Sequence, residues 1–295
     1  MSTPFTQNCQ KIKTFSPLEH KFTEVLRSIA LTPKKLYNYG KLPKNRPKCA
    51  AIVGARKYTK YGEEVTYQLA YELAKRGVVV ISGLAYGIDS IAHRGALDAG
   101  GITIAVLGTP IDYIYPKAHL GLAQEILDKN GCIISELAPK APYHFRTTFL
   151  QRNRLISGLS DVVIVTEAAV KSGSLNTATH ALEQGKDLFA VPGDIHRLTS
   201  VGCNRLIQQG AYVYTGVEDV LDVLFPDAKR RQQKLIVGDT PEETAILKLL
   251  AQDMRDGEKI IAHLGMSASV FNQTITMLEI KGRVRSLGAN CWMLK

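Results

Sequence analysis

The sequence predicts an α/β fold in which a largely parallel sheet is covered by helices on both faces. Three observations carry this prediction. Short runs of β-branched and other apolar residues recur along the middle of the chain, and stretches with helical periodicity separate them. The runs are also apolar throughout, without alternating polar positions. Strands of that kind are buried on both faces, so they belong to the centre of an open sheet.

The predicted strands begin at Cys49 and alternate with helices up to residue 224. In chain order the strands are 49–53, 78–81, 102–107, 132–135, 161–166, 187–191 and 211–214. The first helix follows Gly62 and ends at Gly77, because apolar residues lie four apart between these glycines and glycine is a common helix C-cap. The remaining helices are expected near 88–99, 118–130, 174–184, 203–209 and 217–224.

Residues 238–295 are predicted to form a second, smaller domain. Thr240 and Pro241 supply an N-cap residue and a first-turn proline for a helix. Further helices are expected over 258–264 and from Ser267 to about residue 281, followed by strands at 284–287 and 292–294. A helix, a helix-turn-helix and a hairpin in this order predict a winged-helix domain.

The charge of the chain is unevenly distributed. Lys and Arg number 37 against 27 Asp and Glu, a net charge of +10 that is typical of proteins with a polyanionic partner. Residues 1–48 contain ten basic and two acidic residues, and 227–237 contain four and one, whereas 49–226 contain sixteen and seventeen. We therefore predict a basic N-terminal segment (1–48), a sheet domain (49–226), a basic linker (227–237) and the winged helix (238–295).

Cysteine usage and hydropathy indicate a soluble, cytoplasmic protein. The five cysteines are spread along the chain without a C-x-x-C pair, as expected of reduced thiols. The N-terminus lacks the apolar core of a signal peptide, and no run reaches the roughly 18 apolar residues of a spanning helix. No association with a membrane is expected.

Two strand-to-helix junctions have the composition of phosphate-binding loops. After the first strand, Gly54 allows close approach of the backbone to a phosphate, and Arg56 with Lys57 supplies cations. After the strand at 161–166, Ser172-Gly173-Ser174 offers hydroxyls and free N–H groups at a helix N-terminus. The alternative for the first junction is a tight turn with solvated cations.

A basic stretch with aromatic residues lies between Glu136 and Asp161, where no acidic residue occurs. Cations beside aromatic faces are the composition expected of a site for single-stranded nucleic acid. A solvated basic loop, anchored to the core by its aromatics, is the alternative. The residues concerned are Lys140, Tyr143, His144, Phe145, Arg146, Phe149, Arg152 and Arg154.

Motifs for catalysis are missing from the sequence. There is no Walker A loop, no H-E-x-x-H and no G-x-S-x-G. Asp89 and His93 lie one helical turn apart and could form an acid/base pair, although such a pair is more often structural. We expect a binding protein without enzymatic activity, cofactor or metal.

Several stretches in the same order together resemble the DprA/Smf family of DNA-processing proteins. They include VGARKYTKYG, SGLAYGIDSIAH, FLQRNRLISGLS, SGSLNTATHALEQG and GCNRLIQQGA, within residues 49–212. The resemblance implies an extended Rossmann-like domain that binds and protects single-stranded DNA without cutting it. It also implies homodimerisation and loading of the RecA recombinase, as in natural transformation, and it identifies the C-terminal segment as the family's winged helix.

The resemblance and the basic loops together nominate the site residues. Arg56, Lys117, Arg146, Arg152 and Arg154 are expected to contact phosphates, with Lys57 contributing, and Phe149 to stack on a base. Gly54, Asn153, Ser172, Gly173 and Ser174 are expected to supply further contacts. The chain departs from the family in two respects. Ala55 stands where Ser or Thr is usual, and residues 1–48 are too few for the SAM-type domain that many members carry.

Two other functions are compatible with parts of the sequence. One is a nucleotide-hydrolysing enzyme similar to the lysine-decarboxylase-like phosphoribohydrolases. Those proteins show P-G-G-x-G-T before a catalytic acid. In this chain, Lys171–Thr177 has Leu175 and Asn176 in place of the glycine just before the threonine, and Glu183 lies well along the helix. The other is a duplex-specific regulator, but the predicted recognition helix carries only Lys281 as a cation. A module for protein contact or packing fits the winged helix better.

Overall fold

The computed structural model of the chain describes residues 12–226 and 237–294. The chain divides into two compact units, Met1–Leu224 and Phe225–Lys295, each with its own apolar core. Apart from Val237, the predicted basic linker lies outside the described residues, and so do residues 1–11 of the predicted N-terminal segment.

The first unit is built on a nine-stranded sheet with the order β1-β2-β6-β5-β4-β3-β7-β8-β9. Strands β3 to β9 are parallel to one another, and β2 pairs antiparallel with both β1 and β6. The strands are β1 (Lys13–Phe15), β2 (Leu36–Gly40), β3 (Cys49–Val53), β4 (Val79–Ser82), β5 (Thr103–Leu107), β6 (Cys132–Ser135), β7 (Val162–Val165), β8 (Asp187–Ala190) and β9 (Tyr212–Val213).

Helices cover both faces of this sheet, as predicted. They are α1 (Lys60–Lys75), α2 (Ile88–Asp98), α3 (Leu120–Asp128), α4 (Phe145–Leu159), α5 (Gly173–Glu183), α6 (Val201–Gln208) and α7 (Val217–Leu224), with short 3₁₀ helices at Pro17–Glu19, Glu24–Ser28 and Lys117–His119. Adjacent residues of one strand belong to different cores: Ile134 packs with Leu155 on one face, and Ile133 packs with Ile126 on the other. The extended α/β fold predicted from the sequence is confirmed.

The N-terminal segment contributes to the sheet, which the sequence analysis begins only at residue 49. Strands β1 and β2 extend the sheet beyond β6. Phe22, Leu26 and Leu36 are fully buried in the core that contains β3 and α4. The sequence analysis characterises this segment by its charge, but within residues 12–48 most lysines are exposed while these three apolar side chains are buried.

The stretch between Glu136 and Asp161 also differs from its prediction. The sequence analysis assigns no helix to it, whereas residues 145–159 form α4. The helical pattern is obscured because Arg152, Asn153 and Arg154 are themselves buried, so polar residues occupy positions where a periodicity search looks for apolar ones. The alternative interpretation as a solvated basic loop is therefore wrong.

The second unit is a winged helix. Its helices are α8 (Pro241–Ala251), α9 (Gly257–Leu264) and α10 (Ala268–Ile280), and its hairpin consists of β10 (Val284–Gly288) and β11 (Cys291–Leu294). Thr240 and Ser267 cap α8 and α10, and Gly265 ends α9 with a φ of 62°. These are the signals from which the sequence analysis predicts the domain.

Candidate nucleic-acid interface

The sheet has a topological switch point between β3 and β7. From β3 the chain proceeds outward through β4, β5 and β6, and then returns to place β7 on the other side of β3. At such a point, the loops that follow two neighbouring strands run in opposite directions and leave a gap at the carboxyl ends of the strands. Open α/β sheets bind their ligands in this gap. The fold therefore places a crevice between the β3–α1 and β7–α5 loops.

A cleft of about 410 Å³ occupies this position. Loops after β3, β4 and β7 line it together with one side of α4. It collects most of the residues nominated from the sequence: Gly54, Arg56, Lys57, Phe149, Arg152, Asn153, Ser172, Gly173 and Ser174. The parallel topology brings these residues together from segments more than 100 positions apart in the chain.

A buried carboxylate holds the β3–α1 loop in place. Glu167, which follows β7 and is 3 % exposed, accepts hydrogen bonds from the backbone N–H of Thr59 at 2.9 Å and from its hydroxyl at 2.7 Å. Thr59 is the N-cap of α1. Arg56 and Lys57 precede it and are exposed at the cleft. Their backbone is thus anchored while their side chains remain available to a ligand.

The glycines of the first two loops allow the loops to pack against each other. A Cβ on Gly54 would lie 2.7 Å from Cγ1 of Ile88, and one on Gly87 would collide with the carbonyls of Ala55 and Arg56. Gly87 also has a φ of 81°, a conformation that favours glycine. The role predicted for Gly54 was close approach to a phosphate; in the structure its missing side chain makes room for the start of α2.

The N-terminus of α5 forms the opposite wall of the cleft. Ser172 is its N-cap and accepts a hydrogen bond from the N–H of Ser174, and the two hydroxyls lie 2.7 Å apart. A Cβ on Gly173 would meet no atom within 4 Å, so the backbone there is open to a ligand. The exposed backbone at Gly173 and the positive end of an eleven-residue helix favour an anion at this wall.

Asn153 connects this wall to α4. Its amide donates to the carbonyl of Gly173 at 3.3 Å and to Oδ1 of Asn176 at 3.1 Å, and its own Oδ1 accepts from Nε of Arg152 at 3.2 Å. The side chain is buried and its polar atoms are used internally. Asn153 therefore orients the cleft wall, whereas the sequence analysis expects it to supply a contact to the ligand.

Arg152 forms the floor of the cleft and is only 6 % exposed. It donates to the carbonyls of Gly83 and Val106 at the ends of β4 and β5. Burial lowers its pKa to about 10, and the neighbouring Asp89 carboxylate opposes this shift. Its guanidinium thus neutralises a buried acid and joins two strand ends, so little of it is presented to a phosphate.

Asp89 and His93 do not form the acid/base pair considered above. Asp89 accepts from the N–H groups of Gly83 and Ala85, and burial raises its pKa. The Nδ1 atom of His93 lies 2.7 Å from the hydroxyl of Thr103, and burial lowers the pKa of this histidine to about 3. Each side chain therefore has a structural partner of its own.

Phe149 joins an aromatic cluster next to the cleft. Its ring lies 5.3 Å from that of Phe145 in a stacked arrangement and 5.7 Å from that of Tyr115 edge-on. Tyr143 contacts Phe145 at 5.4 Å. Phe145 is 47 % exposed, so the cluster presents aromatic surface beside the walls of the cleft.

Comparison with known proteins assigns the family. The family model for DNA recombination-mediator protein A matches residues 13–225, and that for the DprA winged helix domain matches residues 230–290. The chain belongs to the DprA/Smf family. Its match therefore includes β1 and β2, beyond the range in which the sequence motifs were found.

Relatives and solved structures agree with this assignment. Protein Smf of Escherichia coli is 45 % identical over 184 residues, which is 60 % of this chain and 49 % of that protein. DprA of Streptococcus pneumoniae is 41 % identical over 213 residues, 72 % of this chain and 74 % of that protein. The chain spans about half the length of the Escherichia coli and Mycobacterium tuberculosis relatives, at 49 % and 52 %.

Two DprA structures are similar to about three quarters of the chain. That of Streptococcus pneumoniae DprA has a TM-score of 0.66 at 39 % identity and covers 73 % of this chain and 75 % of that one. That of Helicobacter pylori DprA, described for its single-stranded DNA binding mode, has a TM-score of 0.65 at 35 % identity and covers 74 % and 97 %.

Three residues nominated for this DprA/Smf chain lie outside the cleft. Arg154 points to the other side of α4, where its Nη2 atom donates to both carboxylate oxygens of Glu136 at 2.8 Å. The expectation that Arg154 joins the cleft residues is therefore wrong, because residues 152 and 154 are two positions apart and so face nearly opposite sides of the helix. Lys117 and Arg146 are exposed, at the 3₁₀ helix and in the first turn of α4, and neither lines the cleft.

Sequence reasoning missed residues that the structure assigns to this site. Lys171 is exposed and lines the cleft next to Ser172. It immediately precedes a stretch quoted for the family, SGSLNTATHALEQG, and a cation one residue before the helix N-cap is a signal that the sequence does offer. Glu167 gave no comparable signal, because its partner Thr59 lies 108 positions away.

Neither a metal site nor a membrane span is found in the described parts of the chain. Across residues 12–226 and 237–294, no group of three His, Cys, Asp or Glu side chains is arranged to hold a metal ion. Within the same ranges, no helix is both long and apolar enough to cross a bilayer.

Proposed function

We propose that the chain binds single-stranded DNA in the cleft at the switch point and that it acts by binding, without catalysis. On binding it protects the strand and loads a RecA recombinase onto it, as in natural transformation. The cleft combines exposed cations, an open helix N-terminus and an aromatic surface. The cations and the helix N-terminus suit the phosphates of a strand, and the aromatic surface suits its unstacked bases.

The observation that carries this proposal is the pairing of Arg56 and Lys57 with the N-terminus of α5 on opposite walls of one cleft. A strand between these walls would be held by its backbone, which makes binding tolerant of sequence. Arg56, Lys57 and Lys171 are the exposed cations among the described residues that line it. Three phosphate contacts on a single strand correspond to a log–log salt slope of about −2.

The test is Arg56→Glu, measured by fluorescence anisotropy on a labelled oligothymidylate. Lys75→Glu is the matched control, since Lys75 is exposed at the last turn of α1, at the opposite edge of the sheet. We expect Arg56→Glu to weaken binding on the order of tenfold or more at about 0.1 M salt, and Lys75→Glu to change it little. Equal affinities of the wild type and Arg56→Glu would contradict the proposed site.

Loading of RecA is supported by family membership and needs its own experiment. RecA filament growth on a single strand coated with single-strand-binding protein is followed with and without the chain. The chain should shorten the lag, and Arg56→Glu should not, because the mediator must hold the strand to deliver it. An unchanged lag with wild-type chain that binds DNA normally would refute loading while leaving binding intact.

Homodimerisation and a cytoplasmic location are further parts of the proposal. β9 is a free edge of the described sheet and its Tyr212 and Val213 are 52 % and 42 % exposed, which suits pairing with a second copy. Sedimentation should give twice the 32.4 kDa of one chain.

The cysteines bear on the proposed location. Cys49, Cys132 and Cys203 are buried free thiols, as is usual in a reducing compartment. Cell fractionation tests that location.

Nothing in the cleft favours the phosphoribohydrolase alternative. Asp89 is the acidic residue among those that line the cleft, and its carboxylate is engaged by backbone N–H groups. Glu183 is the last residue of α5, at the helix end away from the cleft, and contacts His180. Release of free base from a nucleoside monophosphate by purified chain would revive the enzyme hypothesis.

A further inference from the structure

A second groove lies on the side of α4 opposite the cleft. Its volume is about 600 Å³. Three segments form it: the N-terminal residues 31–35, the residues that follow β6, and α4. The lining residues are Leu31, Thr32, Lys34, Lys35, Glu136, Leu137, Gln151 and Arg154.

Arg154 and Glu136 build this groove and neutralise each other. The guanidinium of Arg154 contacts both oxygens of Glu136 at 2.8 Å, and its side chain is only 10 % exposed. It also donates to the carbonyl of Leu31 at 2.9 Å, which holds the N-terminal segment against α4. The groove therefore has a fixed wall whose internal charges cancel.

The remaining charge of the groove is positive. Lys34 and Lys35 are both exposed, and within residues 12–226 and 237–294 neither forms an ion pair with an acidic side chain. A lysine ammonium on a flexible stem binds phosphate as a point charge and needs no fixed geometry. Leu31 and Leu137 add apolar surface beside these two charges.

The groove and the cleft border the same part of α4. Leu150 lines the cleft, and the adjacent residue Gln151 lines the groove; both side chains are exposed. A small cavity of about 20 Å³ beneath them shares Glu136, Leu137 and Gln151 with the groove and Arg152 with the cleft, and it is too small to admit a strand. A flexible polyanion that leaves the cleft therefore reaches the two lysines by crossing the exposed surface of α4.

We propose that single-stranded DNA too long for the cleft passes around α4 and that Lys34 and Lys35 hold its phosphates in this groove. The inference rests on the proposed function and extends it: the site has two parts, and strand length decides whether the second is occupied. It also gives Arg154 a positioning role in the groove wall, without direct contact to phosphate.

The experiment compares oligothymidylates of about 4 and about 20 nucleotides, lengths near the limits for compact single-strand sites. The variant carries Lys34→Ala together with Lys35→Ala. The matched control carries Lys75→Ala together with Lys129→Ala, which removes the same charge from exposed positions at the ends of α1 and α3. Affinity is measured by anisotropy over a series of salt concentrations.

The expected result is selective for length. On the long strand the Lys34/Lys35 variant should bind on the order of tenfold more weakly at about 0.1 M salt, and its log–log salt slope should be less steep by about 1.4, which corresponds to two phosphates. On the short strand it should match the wild type. The control should match the wild type on both strands.

Three outcomes would overturn the inference. Equal losses on short and long strands, or equal losses in variant and control, would assign the effect to overall charge. Unchanged binding of the long strand would show that the groove is not used. In each of these cases wild-type binding is retained, so the proposed function survives. Failure of the wild type to bind either strand would refute both.

Discussion

Glu167 accepts two hydrogen bonds from Thr59, one from the backbone N–H at 2.9 Å and one from the hydroxyl at 2.7 Å. This contact ties the loop after β7 to the loop after β3 across the switch point. Glu167 is 3 % exposed, so Thr59 makes these two hydrogen bonds with a buried carboxylate and not with solvent. The shape of one cleft wall therefore depends on a residue that does not itself line the cleft.

Glu167→Ala should loosen the Arg56 loop. It leaves two donors of Thr59 without a partner, so we expect a loss of about 2 kcal/mol in the free energy of unfolding and weaker binding of oligonucleotide. Glu167→Gln should retain most of the stability and most of the affinity. The amide oxygen of the glutamine can accept from the N–H of Thr59, and its NH₂ group can donate to the hydroxyl oxygen of Thr59. Denaturant unfolding and anisotropy measure the two effects. Equal behaviour of the two variants would contradict this role.

Substitutions of Arg152 and Arg56 should affect different properties, the stability of the fold for Arg152 and the binding of DNA for Arg56. Arg152→Leu leaves the buried Asp89 without its cation and two strand-end carbonyls without a donor. We expect it to cost about 3–5 kcal/mol of unfolding free energy. Arg56→Ala, at an exposed site, should change stability by no more than about 0.5 kcal/mol while weakening DNA binding. A stable Arg152→Leu chain with reduced affinity would instead make Arg152 a direct ligand contact.

Phe149 is expected to stack on a base. Phe149→Ala should weaken binding by about 1–3 kcal/mol, and Phe149→Tyr, which keeps the aromatic face, should retain most of the affinity. The Arg152 guanidinium lies 5.5 Å from the Phe149 ring, so the alanine variant must be checked for folding by circular dichroism. If leucine at this position binds as well as tyrosine, the residue acts through packing and not through stacking.

The winged helix should lose stability in acid through Lys281. This ammonium contacts Asp239 at 2.6 Å and Glu243 at 2.7 Å, and its hydrogen bonds lower the pKa of both carboxyls while they raise the pKa of Lys281. Carboxyls with lowered pKa stabilise the fold at neutral pH. That contribution is lost as pH falls below about 4, and the lysine contribution is lost only at alkaline pH.

The pH dependence can be measured with the single tryptophan of the chain, Trp292, which lies in β11. The thermal midpoint reported by its fluorescence should fall more between pH 7 and pH 3 in the wild type than in Lys281→Met. Lys259→Met, an exposed lysine of α9, is the control and should follow the wild type. Parallel curves for wild type and Lys281→Met would contradict the assignment.

A chain that ends at residue 237 should keep its affinity for single strands, within about twofold. The first unit has its own core and contains the whole cleft, and this truncation retains the basic linker. The outer face of α10 offers Asn272, Gln273 and Thr276, while the nearby Lys281 is already paired. Loss of affinity for both single-stranded and duplex DNA on truncation would move the binding site to the winged helix.

The centre of the fold is readable from the sequence because burial on both faces selects continuous apolar runs. Cys49–Val53 and Cys132–Ser135 are predicted to the residue for this reason. The strand β1, with three residues and two of them exposed, carries too little pattern to be found. The helix α4 is obscured by its buried arginines. A buried charged residue needs a partner, and the partners of these arginines are distant in the sequence, so the sequence pattern does not show that the residues are buried.

The candidate site can be predicted only in part from the sequence. Loops at the carboxyl ends of parallel strands converge, so Arg56 and Ser172 could be placed together from motif and topology alone. The direction of a helical side chain could not, because that requires knowing that 145–159 is a helix. Arg152 and Arg154 were therefore counted as free cations when both have partners inside the protein.

The pairing of β2 with β6 determines where a fragment that contains the sheet domain can begin. Four residue pairs join these strands, from Tyr37 with Ser135 to Gly40 with Cys132. A chain started at residue 49, where the sequence motifs begin, would leave the apolar strand Cys132–Ser135 as an uncovered edge and strip Phe22 and Leu26 from the core. Exposed edges of this kind recruit other chains and lead to aggregation. The insolubility of such a fragment would reflect the missing edge and not a defect of the cleft.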